Sequence, residues 1–422
     1  MVITDFDELY GLEIPDGWTV EKLEPKVGTV KSGKRLPKGY YVVDTHTNHP
    51  YIRVIDMRQG YVDTSDLRYV PEEAFSAIQN YRIYKDDIYI SVAGTLGIVG
   101  QIPEHLDGAN LTENANKVTN IKCNIKYLMY WLMGSIIQNT ISQTQTLGAQ
   151  PKLALTRIRN FPVILPPEKE QEKIAGALSD VDTLITDLQK LIRKKKDIRQ
   201  GTMQMLVTGK KRLDGYSGEW EATTLNNLCK LITKQTGFDY SAEIKPSLVT
   251  EEQIGTFPFI QNKDFEGFDI NYNTDFYIPY DVAIKYPKIL LDEVCLLISI
   301  SGRIGNVARF DNRYEAFAGG AVGIAKFYDP SLVEWCTLYL QSSAGQGQIF
   351  SHEKVGAQHN LTVEDVRRLE IRLPEKRERE EIVEIMGDID LEIHKLEEKL
   401  SKYQKVKQGM MEELLTGEVR LV

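Results

Sequence analysis

Two long stretches of the chain share one hydrophobic pattern. Apolar residues recur at Ile174, Leu178, Val181, Ile185, Leu188 and Ile192, in alternating steps of four and three. That spacing is the a/d seam of a coiled coil. The stripe returns at Ile382, Met386, Ile389, Ile393, Leu396, Leu400 and Tyr403. Each stripe is narrow and flanked by charge, so neither helix is stable alone and the obvious partner of each is the other. The first helix opens at Pro167-Glu168, with proline and acid in its first turn, and stops at Thr208-Gly209, a glycine terminator. Gly201 and Gly409 sit late in each helix. There a glycine costs about 1 kcal/mol against alanine and invites a kink or a frayed end. Outside these stretches the apolar runs are short and β-like, at residues 51–55, 88–92, 161–165, 257–260, 294–300 and 369–373, with helical stretches at 125–137 and 331–340. This predicts a compact α+β unit ahead of each long helix.

The pattern recurs because the sequence does. Residues 165–213 align without a gap on 373–421, at an offset of 208, with 18 of 49 positions identical. The same offset holds upstream. Gly148-Ala149-Gln150 matches Gly356-Ala357-Gln358, Ser91-x-x-Gly94-x-x-Gly97 matches Ser299-x-x-Gly302-x-x-Gly305, and Pro50 and Asp56 match Pro258 and Asp264. Trp18 and Leu23 resemble Trp220 and Leu225 at a slightly different offset. The chain is therefore two half-proteins in tandem. The expected domains are 1–164, a globular domain; 165–213, a helix; 214–372, a second globular domain; and 373–422, a second helix. Like halves tend toward a pseudo-two-fold, which makes the helices an antiparallel coiled coil with a globular domain at each end. About 40 residues at about 1.5 Å each would give a rod of about 60 Å, longer than one turn of duplex DNA.

Composition changes this picture little. With 422 residues and 42% hydrophobic content the chain is large enough for several cored domains. No run is long enough to span a bilayer, and the acidic start MVITDFDELY lacks the basic region of a signal peptide. The four scattered cysteines, Cys123, Cys229, Cys295 and Cys336, form no CxxC pair, which fits a reducing cytoplasm and no membrane association. A net charge of −9 argues against nucleic acid if taken alone. Its distribution softens that objection, since the second helix holds much of the acid. Basic clusters lie at Lys31/Lys34/Arg35/Lys38, Arg53/Arg58, Lys152/Arg157/Arg159 and 193–196.

Candidate chemistry sits in two duplicated motifs. The turn Ser91-Val-Ala-Gly94-Thr95-Leu-Gly97 returns as Ser299-Ile-Ser301-Gly302-Arg303-Ile-Gly305. Its glycines either serve the fold alone or bring exposed amides and a Ser, Thr or Arg against a phosphate or base edge. The loop Gly148-Ala149-Gln150-Pro151-Lys152 returns as Gly356-Ala357-Gln358-His359-Asn360. Gln and Asn suit adenine, and Lys suits phosphate or guanine, although a polar loop before a short helix explains the same letters. Leu111-Thr112-Glu113-Asn114-Ala115-Asn116-Lys117 offers Asn114 and Lys117 in the first copy only; the second reads Ala316-Phe317-Ala318-Gly319-Gly320. Arg53 and Lys263 complete the candidate DNA contacts. The paired acids Asp180/Asp182 and Asp388/Asp390 lack a third ligand and read as surface or partner-facing charge. No P-loop, zincin helix, complete dinucleotide fingerprint or Asn-Pro-Pro-Tyr tetrapeptide occurs, so the chain reads as a binder rather than an enzyme or a metal protein.

The segments LPPEKEQEKIAGALSDVD…LVTGKKRL and LPEKREREEIVEIMGDID…LLTGEVRL resemble the two helical repeats of type I restriction–modification specificity subunits. The stretch Asp87-Ile88-Tyr89-Ile90-Ser91…Gly94-Thr95-Leu96-Gly97 is similar to part of that family's target-recognition domains. The resemblance implies a non-catalytic subunit whose two domains each bind half of a bipartite site on double-stranded DNA. The helix pair would set the gap between the halves and dock two methyltransferase subunits, joined by a translocating restriction subunit. It implies no cofactor on this chain, with S-adenosylmethionine, ATP and Mg held by the partners. The competing expectation is a coiled-coil scaffold that binds only proteins, which the acidic balance favours.

Overall fold

The computed structural model describes residues 13–143, 152–351 and 360–421. The chain divides into two compact units, residues 1–189 with 398–422, and residues 190–397. Each combines a mixed α+β domain with one segment from each of two long helices, Glu168–Leu206 and Lys376–Thr416.

The first unit has strands β1 (Thr19–Lys22), β2 (Thr29–Ser32), β3 (Pro50–Ile52), β4 (Arg68–Tyr69), β5 (Arg82–Ile83), β6 (Ile88–Ser91), β7 (Val99–Gln101), β8 (Ala109–Leu111), β9 (Ala115–Thr119) and β10 (Pro162–Leu165). They form one sheet in the order β2-β9-β6-β7, another in the order β4-β3-β8-β5, and a β1-β10 pair. The second unit has β11 (Glu221–Thr224), β12 (Cys229–Lys234), β13 (Thr256–Ile260), β14 (Phe265–Glu266), β15 (Asp269–Ile270), β16 (Tyr277–Pro279), β17 (Leu290–Leu291), β18 (Cys295–Ser299), β19 (Val307–Phe310), β20 (Ala316–Ala318), β21 (Val322–Phe327) and β22 (Glu370–Leu373). Its sheets run β12-β21-β18-β19 and β16-β13-β20-β17, with pairs β11-β22 and β14-β15. Among the described residues the two topologies match strand for strand, with the β14-β15 hairpin added in the second. Even the parallel strand pairing is kept, β3 with β8 and β13 with β20.

The core strands β6 (Ile-Tyr-Ile-Ser) and β18 (Cys-Leu-Leu-Ile-Ser) are buried at every position. Each is covered on both faces, which is why they read as continuous apolar runs without alternation. Behind β6 lie helices Ile125–Met133 and Ser135–Ser142, where one helix over 125–137 was expected. The break is at Gly134, held extended at φ −68° and ψ 158°. The second unit breaks in the same way at Ser342, between Leu332–Gln341 and Ser343–Ser351. A break frees carbonyls, and a glutamine restores one of them in each unit: Gln138 Nε2 donates to the Leu132 carbonyl at 2.9 Å, and Gln346 Nε2 to the Leu340 carbonyl at 2.7 Å. Trp131 and Trp335, both at most 1% exposed, anchor these helices by donating to the carbonyls of Pro162 and Arg372.

In the first unit the early part of the first long helix packs antiparallel to the late part of the second. Asp182 pairs with Lys407 at 2.7 Å and Glu170 with Arg420 at 2.8 Å. In the second unit Lys195 pairs with Glu392 at 2.7 Å, Arg199 with Asp390, and Arg212 with Glu378 at 2.6 Å. In both sets one residue number falls as the other rises. Of the seam positions, Ile174, Leu178, Val181, Leu188, Ile192, Ile382, Met386 and Ile393 are buried, while Ile185, Ile389, Leu396 and Leu400 are half-buried. Gly201 and Gly409 lie inside uninterrupted helix, so neither kinks it.

Candidate nucleic-acid interface

In each unit the turn after β6 or β18 is built by one serine and two glycines. Ser91 Oγ donates to the Thr95 carbonyl at 2.7 Å and accepts from the Ile98 amide at 2.8 Å. Ser299 Oγ does the same with the Arg303 carbonyl and the Asn306 amide. Gly94 and Gly97 hold φ +77°, and Gly302 and Gly305 hold +76° and +88°. These are left-handed values that side chains resist. The result presents Gly94, Thr95, Gly302 and Arg303 to solvent and buries Gly97 and Gly305. Gln138 Nε2 also donates to the Gly97 carbonyl at 3.0 Å, and Gln346 Nε2 to the Gly305 carbonyl at 2.9 Å, tying each turn to the helix break behind it.

The second motif arrives beside the first. A β-bridge joins Ala93 to Lys152, and another joins Ser301 to Asn360. Leu153 N donates to the Val92 carbonyl and Leu361 N to the Ile300 carbonyl. Exposed Lys152 and Asn360 therefore flank the glycine turns. Gln150, Gln358 and His359 lie outside the described residues. A third segment closes the rim. Val54–Asp56 and Asn262–Asp264 form 3-10 turns where the first was expected to continue as strand. The buried carboxylates of Asp56 and Asp264 stop the strands by accepting from the Arg53 and Gln261 amides at 2.8 and 2.7 Å. Gln59 then bonds the Gly97 carbonyl and the Val99 amide, and Asn262 bonds the Ser301 carbonyl.

Several expected contacts are spent internally. Ser91 is fully buried and shapes the turn rather than facing a ligand. Lys117, expected at the surface, is 7% exposed and donates to Asp87 at 3.0 Å and to the Arg82 carbonyl. Buried lysines need such a partner, and this one is structural. The Arg53 guanidinium is held by Asp56 and by the Asp66 carbonyl, and Lys263, though exposed, pairs with Asp275. Asn114 is half-buried, its carbonyl accepting from the Val92 and Ala93 amides. Half-buried Ser301 presents its backbone to Asn360 and Asn262. Besides ion-paired Lys263, the exposed side chains among the described candidates are Thr95 and Lys152 in one unit, and Arg303 and Asn360 in the other.

Sequence reasoning missed a third duplicated feature. Trp18 Nε1 and the Arg420 guanidinium both bond Glu170, at 3.0 and 2.8 Å. Trp220 Nε1 and Arg212 bond Glu378 in the same way, at 3.2 and 2.6 Å. Each arginine also lies over its tryptophan ring. Gly209 and Gly417, at φ +71° and +81°, let the tail turn back onto the ring. The acids and arginines obey the 208 offset, so the repeat carried this signal. One acid of each pair is likewise a helix staple: Asp182 accepts from Tyr130 as well as Lys407, and Asp390 takes Arg199, while Asp180 and Asp388 are exposed. Among the described residues no cluster could hold a metal ion.

The domains differ in charge. Residues 1–164 carry 17 basic and 18 acidic side chains, and residues 214–372 carry 14 and 22. The first rim adds Arg35, 77% exposed, bonded to Glu113.

The type I restriction modification DNA specificity domain matches residues 15–199 and again 217–403. The chain is 24% identical to a protein named as the type I restriction enzyme MjaX specificity subunit of Methanocaldococcus jannaschii, over 97% of this chain and 95% of that one. It is also 24% identical to the type I restriction enzyme MjaVIII specificity subunit of the same organism, over 99% and 96%. The crystal structure of the type I restriction-modification S subunit from M. genitalium shares the fold, with a TM-score of 0.55 at 15% identity, covering 96% of this chain and 98% of that one. With two matched domains spanning most of its length, and a duplicated frame beneath them, the chain belongs to the type I restriction–modification DNA specificity family.

Proposed function

We propose that the chain is the sequence-reading subunit of a type I restriction–modification complex and performs no bond chemistry of its own. Each unit reads one half of a bipartite site on double-stranded DNA. One observation carries this reading: the same rim occurs twice on the same frame, while its solvent-facing side chains differ, Thr95 and Lys152 against Arg303 and Asn360. A conserved frame with changed tips is what two related readers of different half-sites need. The glycine turns and loop flanks, with Gly94, Gly97, Gly302 and Gly305 setting their shape, supply the contact surface. The paired helices dock methyltransferase subunits, two by the duplication, and with them restriction subunits. S-adenosylmethionine, ATP and Mg belong to those partners. No described helix is long and apolar enough to cross a membrane, and the reading places the complex with the host DNA in the cytoplasm.

Methylation mapping of host DNA with and without the intact gene tests this. Loss of a single split adenine motif is the expected result, and an unchanged methylome sinks it. The acidic second domain keeps one rival in play, a scaffold that joins proteins without reading DNA. That rival predicts partner assembly indifferent to DNA and no sequence enrichment from a random duplex pool.

A further inference from the structure

The exposed cation best prepared for recognition lies on the first rim and belongs to neither duplicated motif. Arg35 follows β2, in a segment tied down by its neighbours: the Gly33 amide donates to the Ala115 carbonyl, the Lys34 amide to the Leu111 carbonyl, and the Tyr51 hydroxyl to the Lys34 carbonyl. Arg35 Nε donates to Glu113 Oε1 at 2.6 Å. Glu113 is itself fixed, accepting from the Thr112 hydroxyl at 3.1 Å, with the Tyr51 hydroxyl oxygen 3.4 Å away. Burial pushes this carboxyl up, but the bonds from Arg35, its own backbone and Thr112 outweigh burial and hold it below the usual range. Glu113 precedes Asn114, whose carbonyl bonds Val92 and Ala93, and Ala93 bridges Lys152. The guanidinium thus stands on the same continuous rim as the glycine turn.

Such a pair is poorly suited to a phosphate and well suited to a base. Its formal charges cancel, so it offers little of the net attraction that draws phosphates. The carboxylate instead takes Nε and fixes the plane of the guanidinium, whose side chain is 77% exposed. Nη1 and Nη2 are left as a pre-aimed fork, the geometry that matches guanine O6 and N7. The second unit lacks both members. Gln235 and Thr236 follow β12, and Gly319, Gly320 and Ala321 connect β20 to β21.

We propose that Arg35 is a specificity-determining residue that reads one guanine in the half-site held by the first unit, and that Glu113 is its positioning residue. This rests on the function proposed above.

The test uses the full chain assembled with its methyltransferase partner, on duplexes carrying the mapped split motif. Each guanine is replaced in turn by 7-deazaguanine, which lacks the N7 acceptor. One replacement, in one half only, should weaken wild-type binding on the order of 10- to 100-fold. Arg35→Lys should lose about as much on the unmodified duplex, lose little more on the modified one, and leave the salt dependence unchanged. Glu113→Gln should lose part of the discrimination at that same base and at no other. Normal melting of Arg35→Lys, expected for so exposed a residue, excludes misfolding. The proposal is overturned if Arg35→Lys weakens every duplex equally, if Arg35→Ala flattens the salt dependence while leaving all base preferences intact, as a phosphate contact would, or if no 7-deazaguanine has an effect. Absence of any split motif would instead remove the functional reading beneath it.

Discussion

At the scale of single residues, buried charge decides most of what substitution will do. Glu378 is fully buried and satisfied by Arg212 and Trp220. Removing Arg212 leaves that carboxylate unpaired, so Arg212→Ala should destabilise the second unit by about 3 kcal/mol, read from the shift of its unfolding midpoint. The matching carboxyl, Glu170, is held below the usual range chiefly by the bond from Arg420, against burial and with help from Trp18. A lowered folded pKa stabilises above the unfolded value, about 4.3, and is lost as pH falls through the folded one. Acid titration should therefore loosen the first unit below about pH 4.3, and Arg420→Met should reduce that sensitivity. The thiols supply a third test. Burial pushes Cys229 to about 12 and Cys123 to about 11, and raises Cys295 and Cys336 as well. Native protein should react with thiol reagents slowly and first at half-buried Cys123, with rapid labelling of all four only on unfolding. Lys117 shows where residue-level reading fails. A lysine in a polar motif reads as surface, and its partner Asp87 lies 30 residues away in the chain.

At the scale of elements, period and length govern what the sequence discloses. The first long helix carries both a stripe and end signals, so Pro167-Glu168 and Thr208-Gly209 mark its bounds to within about two residues of Glu168–Leu206. Strands such as β4 and β5, two residues each, hold too little pattern to register, and what fixes them is pairing with distant β3 and β8. The break at Gly134 was equally silent, because the Gln138 side chain that caps it looks like any helical polar residue. Glycines separate by environment. At Gly201 and Gly409 an added Cβ meets nothing within 4 Å, and both sit in regular helix. Alanine there should stabilise by up to about 1 kcal/mol each, seen as higher melting temperatures. At Gly97 the same atom would lie 2.8 Å from Gln138 Oε1 on a backbone at φ +77°. Gly97→Ala should cost about 1–2 kcal/mol and weaken DNA binding in one half only, as melting and footprinting would show.

At the scale of the whole molecule, the duplication was the most legible feature and charge the least decisive. The offset of 208 announced two like halves; the glycine turns and the acid and arginine of each clamp obey it, and the strand orders match. The net charge of −9 conceals that residues 214–372 hold 22 acids against 14 bases, while residues 1–164 are nearly balanced. Phosphate contacts should therefore come mainly from the first domain. Neutralising Lys31 or Lys152 should lower the salt slope of binding by about one each, measured by titration at several salt concentrations, and comparable changes in the second domain should move it less. What the repeat did not disclose is how each unit is completed. In the second unit the clamp is local: Arg212 and Trp220 stand eight residues apart along one stretch of chain. In the first, the same clamp brings Arg420 to Trp18, with Gly417 against Pro15. The link that the second unit makes along the chain, from Arg212 to Trp220, the first unit makes by contact alone, from Arg420 to Trp18. Joining residue 421 to residue 13 and opening the backbone between Gly215 and Gly218 would exchange the two kinds of link. The permuted protein should melt cooperatively and protect the same bases.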